Sequence, residues 1–340
     1  MLGAVPNFSE GRDPALVAAL VDALSRPGTE LLDHSSDPDH HRSVATVVGD
    51  PAAVEDACLF AAELARDSID LRGHSGAHPR VGSLDVLPFL PLREMEMADA
   101  VESAHRVGRR IAGLGVPVYY YAQASDPPGR GLAEIRRGGF EALAGGFSSG
   151  REPDLQSPAG GPRRAPHPSA GVTCVAARAP LLAWNVYLEG LDLAAAREIA
   201  SLIRETGGGF AGLRALGIAL PSTGRIQVSM NLEDAESRSA APIYDEIEKL
   251  ATRRGGRPVE VEVIGMATRG LAHLADSGRL YAPGLGPERV LADRLFEQGT
   301  GGSGPNEQSH FPSGVERSPD LGARLSSGRA ADLALRKAAR

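Results

Sequence analysis

One order of elements, strand–helix–strand–strand–helix–strand, can be read twice along this chain, and few folds accommodate it. Residues 2–5 read as a short buried strand. Asp13 is placed to cap a helix with Pro14 in its first turn and Leu16, Val17, Leu20, Val21 and Leu24 on one face. Residues 29–33 and the β-branched run 43–48 read as strands, Asp50-Pro51 opens a helix reaching residue 65, and 84–90 is a strand. A further helix over 95–114 and strand over 117–122 follow. The second half predicts a strand at 181–188, a helix at 193–205, and strands at 212–220 and 225–232 joined by the turn Pro221-Ser222-Thr223-Gly224. A helix at 242–253 and a strand at 259–264 complete it. The expected class is α/β (α+β): two similar split β-α-β, ferredoxin-like subdomains, each a mixed sheet with helices on one face.

Residues 152–170, rich in Pro, Gly, Ser and Arg, connect the halves. They read as a linker, or as a functional loop touching a ligand held between the subdomains. The expected divisions are 1–177, which includes this loop, then 178–298, and a flexible Gly/Ser-rich tail at 299–340 ending in a possible helix. Of the 340 residues 42% are hydrophobic, enough for a normal core, but only 4% are aromatic, so packing falls to Ala, Val, Leu and Ile. A net charge of −7 argues against general nucleic-acid affinity. No stretch reaches the length of a membrane-spanning helix, and the N-terminus lacks a charged segment followed by an apolar one, so a soluble cytoplasmic protein is expected. Lys249 and Lys337 are the only lysines, a bias better read as genomic base composition than as anion binding, although arginine does give the planar, bidentate carboxylate recognition that lysine does not. Cys58 and Cys174 make no disulfide scaffold, and Cys58 reads as a small core residue.

His74, His78, Arg80 and Asp85 fall within twelve residues beside an apolar strand. Pro79 disfavours the helical region for His78 and holds it extended, while Gly76 and Gly82 permit tight backbone around it. Histidine suits proton transfer near neutrality, although such a loop taken alone is more often purely structural. Asn7, Ser9, Glu10 and Arg12 stand at a strand end, where α/β proteins bind ligands, or else form a capping loop for the next helix. Residues 33–43 crowd His and Asp together, as metal sites do. Adjacent side chains on an extended chain point to opposite faces, however, so His40 and His41 do not readily share an ion. A polar loop with Arg42 facing a ligand fits better, and no metal is expected. Gln227, Ser229 and Asn231 alternate along one strand and form a polar wall, and Asn185 is a lone amide in another apolar strand, lining that wall or bonded to backbone. There is no phosphate-binding glycine loop after a strand and no G-x-S-x-G elbow.

Four segments together resemble the glutamate formimidoyltransferase family: Val5-Pro6-Asn7-Phe8-Ser9-Glu10-Gly11, His78-Pro79-Arg80-x-Gly82-x-x-Asp85-Val86, Gly115-Val116-Pro117-Val118-Tyr119 and Gln227-Val228-Ser229-x-Asn231-Leu232. The resemblance runs in order from about residue 4 to about 265, and a monofunctional bacterial-type member without a cyclodeaminase segment is expected. It implies folate held in a passage between two subdomains. It implies transfer of a formimidoyl group between N-formimidoyl-L-glutamate and tetrahydrofolate, giving 5-formimidoyltetrahydrofolate and L-glutamate, as in histidine breakdown. Tetrahydrofolate would be a co-substrate, no metal would be needed, and a homodimer is usual. His78 matches the catalytic histidine, which would take the proton from N5 of the folate and deliver it to the departing glutamate nitrogen.

By position Arg42 and Arg80 are candidates for glutamate's carboxylates, with Asn7, Ser9, Glu10, Asp85, Asn185, Gln227, Ser229 and Asn231 around the substrate. Asp85 would orient a histidine or anchor Arg80. The folate-contacting connection matches Gly161, Pro162, Arg163, Arg164, His167, Pro168, Ser169 and Gly171, with Arg163 and Arg164 toward the folate tail's carboxylate. Ser35, His41 and Ala77 depart from the family pattern near the expected site. They keep open a folate-dependent one-carbon transferase with another amine acceptor. A non-catalytic folate-binding protein, and a metal hydrolase using Asp37, Asp39, His41 and His78, are the remaining alternatives.

Overall fold

Pro6 breaks the first strand. In a computed structural model, which describes residues 1–156, 165–235 and 237–300 (296–300 as backbone only), β1 (Leu2–Ala4) and β2 (Asn7–Phe8) lie between the same two neighbouring strands. The interruption falls at Val5-Pro6, where proline has no amide proton for the ladder. Gly161, Pro162, Arg163 and Arg164, and the tail beyond residue 300, lie outside the described residues.

α1 (Pro14–Leu24) starts at Asp13, whose carboxylate accepts from the amides of Ala15 and Leu16, and it buries Leu16, Val17, Leu20 and Leu24. Asp13→Ala should lower stability by about 1 kcal/mol in chemical denaturation, the usual cost of losing an N-cap. There follow β3 (Thr29–Asp37), β4 (Arg42–Gly49), α2 (Pro51–Ser68), β5 (Leu84–Pro91), α3 (Met97–Gly113), β6 (Val118–Ala122), two short helices α4 (Leu132–Ile135) and α5 (Gly139–Ala144), and β7 (Thr173–Ala177). The strands lie in the order β3-β4-β1/β2-β5-β7-β6. The first four positions are antiparallel and carry the ferredoxin-like order, while β7 pairs parallel with both β5 and β6. β7 is absent from the sequence reading, because a five-residue run of small and apolar residues does not stand out from the connection before it.

The second half contributes β8 (Leu182–Glu189), α6 (Leu193–Ile203), β9 (Leu213–Ala219), β10 (Ile226–Leu232), α7 (Ala241–Thr252), β11 (Arg257–Ile264), α8 (Arg269–Asp276) and α9 (Leu291–Thr300). Its sheet has the order β11-β8-β10-β9 with every neighbour antiparallel. The expectation of two mixed sheets is therefore corrected: only the first is mixed, because the parallel pairs come from the added β6 and β7. Helices on one face also holds for the second sheet alone. In the first, α1, α2 and α3 cover one face, while Ile135 of α4 and Leu143 of α5 pack on Val86, Tyr119, Tyr121, Cys174 and Ala176 on the other.

Each half has its own core, with Trp184 fully buried in the second and Cys58 in the first. They meet where Met266 and Leu291 cover Leu32, Val48 and Leu90 on the first sheet. A second meeting point is the β9–β10 turn, where Ser222 donates to Asp39 at the β3–β4 turn. The polar face of the second sheet, with Asn185, Tyr187, Gln227, Glu260 and Glu262, is the one its own helices leave uncovered.

Candidate active site

His78 sits in the loop before β5, and that loop is pinned from both sides. A Cβ on Gly82 would lie 1.8 Å from the Val172 carbonyl oxygen, and one on Gly76 would lie 2.4 Å from that of His40, so neither position has room for a side chain. Ser9 donates its hydroxyl to the Gly82 carbonyl at 2.7 Å and its amide to that of Ser83 at 2.9 Å. Asp85 accepts from the amides of Val81 at 2.7 Å and Gly82 at 3.1 Å with one oxygen, and its other oxygen meets Arg136. These bonds hold the loop itself, and they reach neither a histidine nor Arg80. Arg80 is clamped by Glu141 at 2.6 and 3.0 Å and also donates to the His74 carbonyl at 2.9 Å.

Asn7, Phe8, Ser9, His40, His41, Arg42, His74, His78, Arg80 and Asp85 line one pocket, whose free space of about 10 Å³ admits a single water-sized group. At its centre Arg42 Nη1 is 2.8 Å from His78 Nε2. A guanidinium only donates, so Nε2 is the acceptor and the proton of the neutral ring is on Nδ1. Arg42 Nη2 donates to Asn7 Oδ1, and Asn7 in turn donates to the Val5 carbonyl at 2.7 Å. Burial, then the positive charges of Arg42 and Arg136, hold the His78 pKa well below the usual histidine value. Burial and Arg136 bring Arg42 down to about 10, which still leaves it charged near neutrality. The Nε atoms of Arg42, Arg80 and Arg136 are buried without a partner.

The rim is built from the other histidines. His40 approaches His78 edge-on at 6.3 Å between ring centroids, and His41 stacks on His74 at 4.0 Å. His41 Nε2 lies 3.3 Å from Glu10, which also accepts from the amides of Arg12 and Asp13 at 2.7 and 3.0 Å. Glu10 thus closes the loop before α1, as a capping residue would. Among the described residues, no group of three or more His, Cys, Asp or Glu is placed to hold a metal ion.

A second opening of about 330 Å³ lies between the halves, where Asp33, His34 and Ser35 of β3 face residues 260–264 of β11 together with Pro283 and Arg289. That volume lies in the range of small-molecule sites. On the second sheet beside it, Asn185 and the Tyr187 hydroxyl both donate to Glu262, each at 2.9 Å. The Arg225 guanidinium stacks 3.6 Å from the Tyr187 ring centroid, and Gln227 is fully buried with neither amide atom bonded. Ser229 is half-buried and Asn231 is exposed.

The expected residues therefore separate. Asn7, Ser9, Arg42, His78, Arg80 and Asp85 converge on the small pocket, with Glu10 at its edge through His41. Asn185, Gln227, Ser229 and Asn231 belong to the second sheet. The β3–β4 hairpin joins the two regions, lining the opening with its middle and the pocket with its tip. His167 and Gly171 pair with each other, the His167 ring accepts from the Ala170 amide at 3.0 Å, and the Ser169 carbonyl accepts from Leu71; none of these, nor Pro168, lines the pocket. Arg136, Glu141 and Glu262, which no sequence motif marks, complete the site's ion pairs and hydrogen bonds.

Residues 1–178 match the family model described as formiminotransferase domain, N-terminal subdomain, and residues 183–284 match the one described as formiminotransferase domain. The chain is 40% identical over 266 residues to the glutamate formimidoyltransferase of Streptococcus pyogenes serotype M1, covering 77% of this chain and 87% of that protein. It is 37% identical over 268 residues to the glutamate formimidoyltransferase of Thermoplasma acidophilum, covering 77% and 86%. Similarity to the formimidoyltransferase-cyclodeaminase of Rattus norvegicus is 38% over 280 residues, or 79% of this chain and 50% of that protein.

Proposed function

We propose, from the premise that this chain belongs to the formiminotransferase family, that it moves a formimidoyl group between N-formimidoyl-L-glutamate and tetrahydrofolate, giving 5-formimidoyltetrahydrofolate and L-glutamate in histidine degradation. It is a one-carbon transferase that uses tetrahydrofolate as co-substrate. The observation that carries our reading of the site is a neutral imidazole with its acceptor nitrogen turned into a cationic pocket. Tetrahydrofolate supplies the nitrogen that receives the one-carbon group. His78 Nε2 takes up the proton that nitrogen loses and returns it to the glutamate nitrogen, so one imidazole serves both half-steps. Arg42 takes a carboxylate of the glutamate moiety, and Asn7 aims it. Ser9 and Asp85 act through the loop they hold. Arg80, already engaged by Glu141, is less free for a carboxylate than Arg42.

In this reading the opening beside β3 and β11 receives the pterin. Its size supports this, as does the unpartnered amide of Gln227 on the neighbouring polar face, next to Asn185 and Glu262. Ser229 and Asn231 extend that wall. The connection that includes Gly161, Pro162, Arg163, Arg164, His167, Pro168, Ser169 and Gly171 meets the rest of the folate. The reading extends to a cytoplasmic homodimer with subdomains 1–177 and 178–298.

The test is an acceptor screen with 5-formimidoyltetrahydrofolate, following release of free tetrahydrofolate. Release with L-glutamate supports the proposal. Release only with another amine favours the second reading, which Ser35 in the opening and His41 in the pocket motivate.

The pH dependence follows from the same geometry. His78 acts as base only when neutral, and its pKa is held below about 6.5, the unperturbed histidine value. The acid limb of kcat/KM should therefore lie below that value. Arg136→Gln removes a positive charge that disfavours the protonated ring, so the limb should move upward. A pH–rate profile of the two proteins checks the direction.

A further inference from the structure

The lone pair assigned to catalysis is already engaged in this structure. Arg42 Nη1 stands 2.8 Å from His78 Nε2, and the pocket beside them has room for one water-sized group. A reacting amine cannot reach Nε2 while the guanidinium holds it. Arg42 has other reasons to be drawn away. Its Nε is buried and unbonded, and Asp85, the carboxylate lining the pocket with it, is engaged by Arg136 and two backbone amides. The Nη2 bond to Asn7 gives the group a point to pivot on.

We propose that Arg42 is a substrate-operated cover on His78: a carboxylate of the amino-acid reactant draws the guanidinium off the imidazole and so exposes the base. The inference rests on the reading of His78 as the proton carrier. A guanidinium binds a carboxylate more strongly than a neutral imidazole, because both partners are charged and two parallel bonds form. The protons balance: the attacking N–H breaks as Nε2–H forms, Nε2–H then breaks as the departing nitrogen gains its proton, and Arg42 keeps all of its own.

Specificity for a carboxylate-bearing reactant would then appear in kcat as well as in binding, since a reactant that binds without moving Arg42 meets a blocked base. The charged and titratable groups facing His78 or lining its pocket are Arg42 from β4, His40 and His41 from the hairpin tip, Asp85 from β5, Arg136 from the end of α4, and His74 and Arg80 from its own loop. Of these, only Arg42 is hydrogen-bonded to the ring nitrogen that must be freed.

The test uses the unaltered full chain labelled with ¹⁵N-histidine, with His78 Nε2 assigned by comparison with His78→Gln. L-glutamate at saturation, verified by calorimetry, should shift the Nε2 resonance, and glutamic diamide should not. At saturation the formimidoyl derivative of the diamide should turn over with kcat roughly 10–100-fold lower than N-formimidoyl-L-glutamate, the loss expected when a hydrogen bond to a charged group must still be broken. In Arg42→Met the resonance should start at the exposed position and ignore glutamate. An unmoved resonance in the unaltered protein with bound glutamate, together with equal kcat for the two donors, overturns the cover while leaving formimidoyl transfer standing. Absence of turnover with any glutamate donor overturns the transferase reading instead.

Discussion

His78→Ala should lower kcat for formimidoyl transfer roughly 10²–10⁴-fold at saturating concentrations of both substrates, the range for loss of one general acid–base. Few other side chains are positioned to substitute. His40 is the nearest imidazole, but its ring centroid is 6.3 Å away and its Nδ1 is paired with Asp37 at 2.8 Å. His41 and His74 are stacked on each other and bonded to backbone carbonyls. The fold should survive the change. The loop is anchored through Ser9 and Asp85, not through the ring, and Arg42 keeps its bond to Asn7. The thermal melt of the variant should stay cooperative with a modestly lower midpoint, since Arg42 Nη1 loses its acceptor. A variant that melts normally and turns over near the native rate would remove His78 from the chemistry.

Asp85→Ala should behave in the opposite manner, as a structural failure first. The carboxylate is buried, pairs with Arg136 and accepts two amides of the His78 loop. Its removal leaves a buried guanidinium unpaired and two backbone donors unsatisfied. Breaking a buried pair from one side costs about 3–5 kcal/mol, which is a large part of the stability of an ordinary domain. Chemical denaturation should show that loss. Asp85→Asn keeps an acceptor for the two amides and should lose less. A stability for Asp85→Ala within about 1 kcal/mol of the parent, well short of that range, would mean the pair does not hold the loop.

Much of the fold is legible because its signals are local. Asp13-Pro14 and Asp50-Pro51 mark helix starts, and the apolar runs of 84–90 and 182–188 mark central strands. β7 carries no such mark, and with it the source of the first sheet's parallel pairs and the second-face helices α4 and α5 go unread, although a mixed sheet is expected there. The site follows the same division. His78 and Asp85 can be recognised because one short motif carries both the reactive group and an anchor of its loop, and Ser9 because a second short motif near the N-terminus carries it. Arg136, Glu141 and Glu262 cannot, because they lie 51, 61 and 77 residues from Asp85, Arg80 and Asn185, and only the folded chain brings them together. Arg80 is the converse case. Nothing in its neighbours shows that it is already committed to Glu141.

The β3–β4 hairpin is a ruler. Its middle strand residues face one opening, its tip closes over the imidazole, and Asp39 is fastened to Ser222 across the molecule. Two reactants seated at those stations would have their separation fixed by strand pitch, about 3.3 Å for each residue. Lengthening the ribbon by two residues in each arm, which keeps every side chain on its own face, would displace one station by about 6.6 Å and leave every chemical group intact but out of reach.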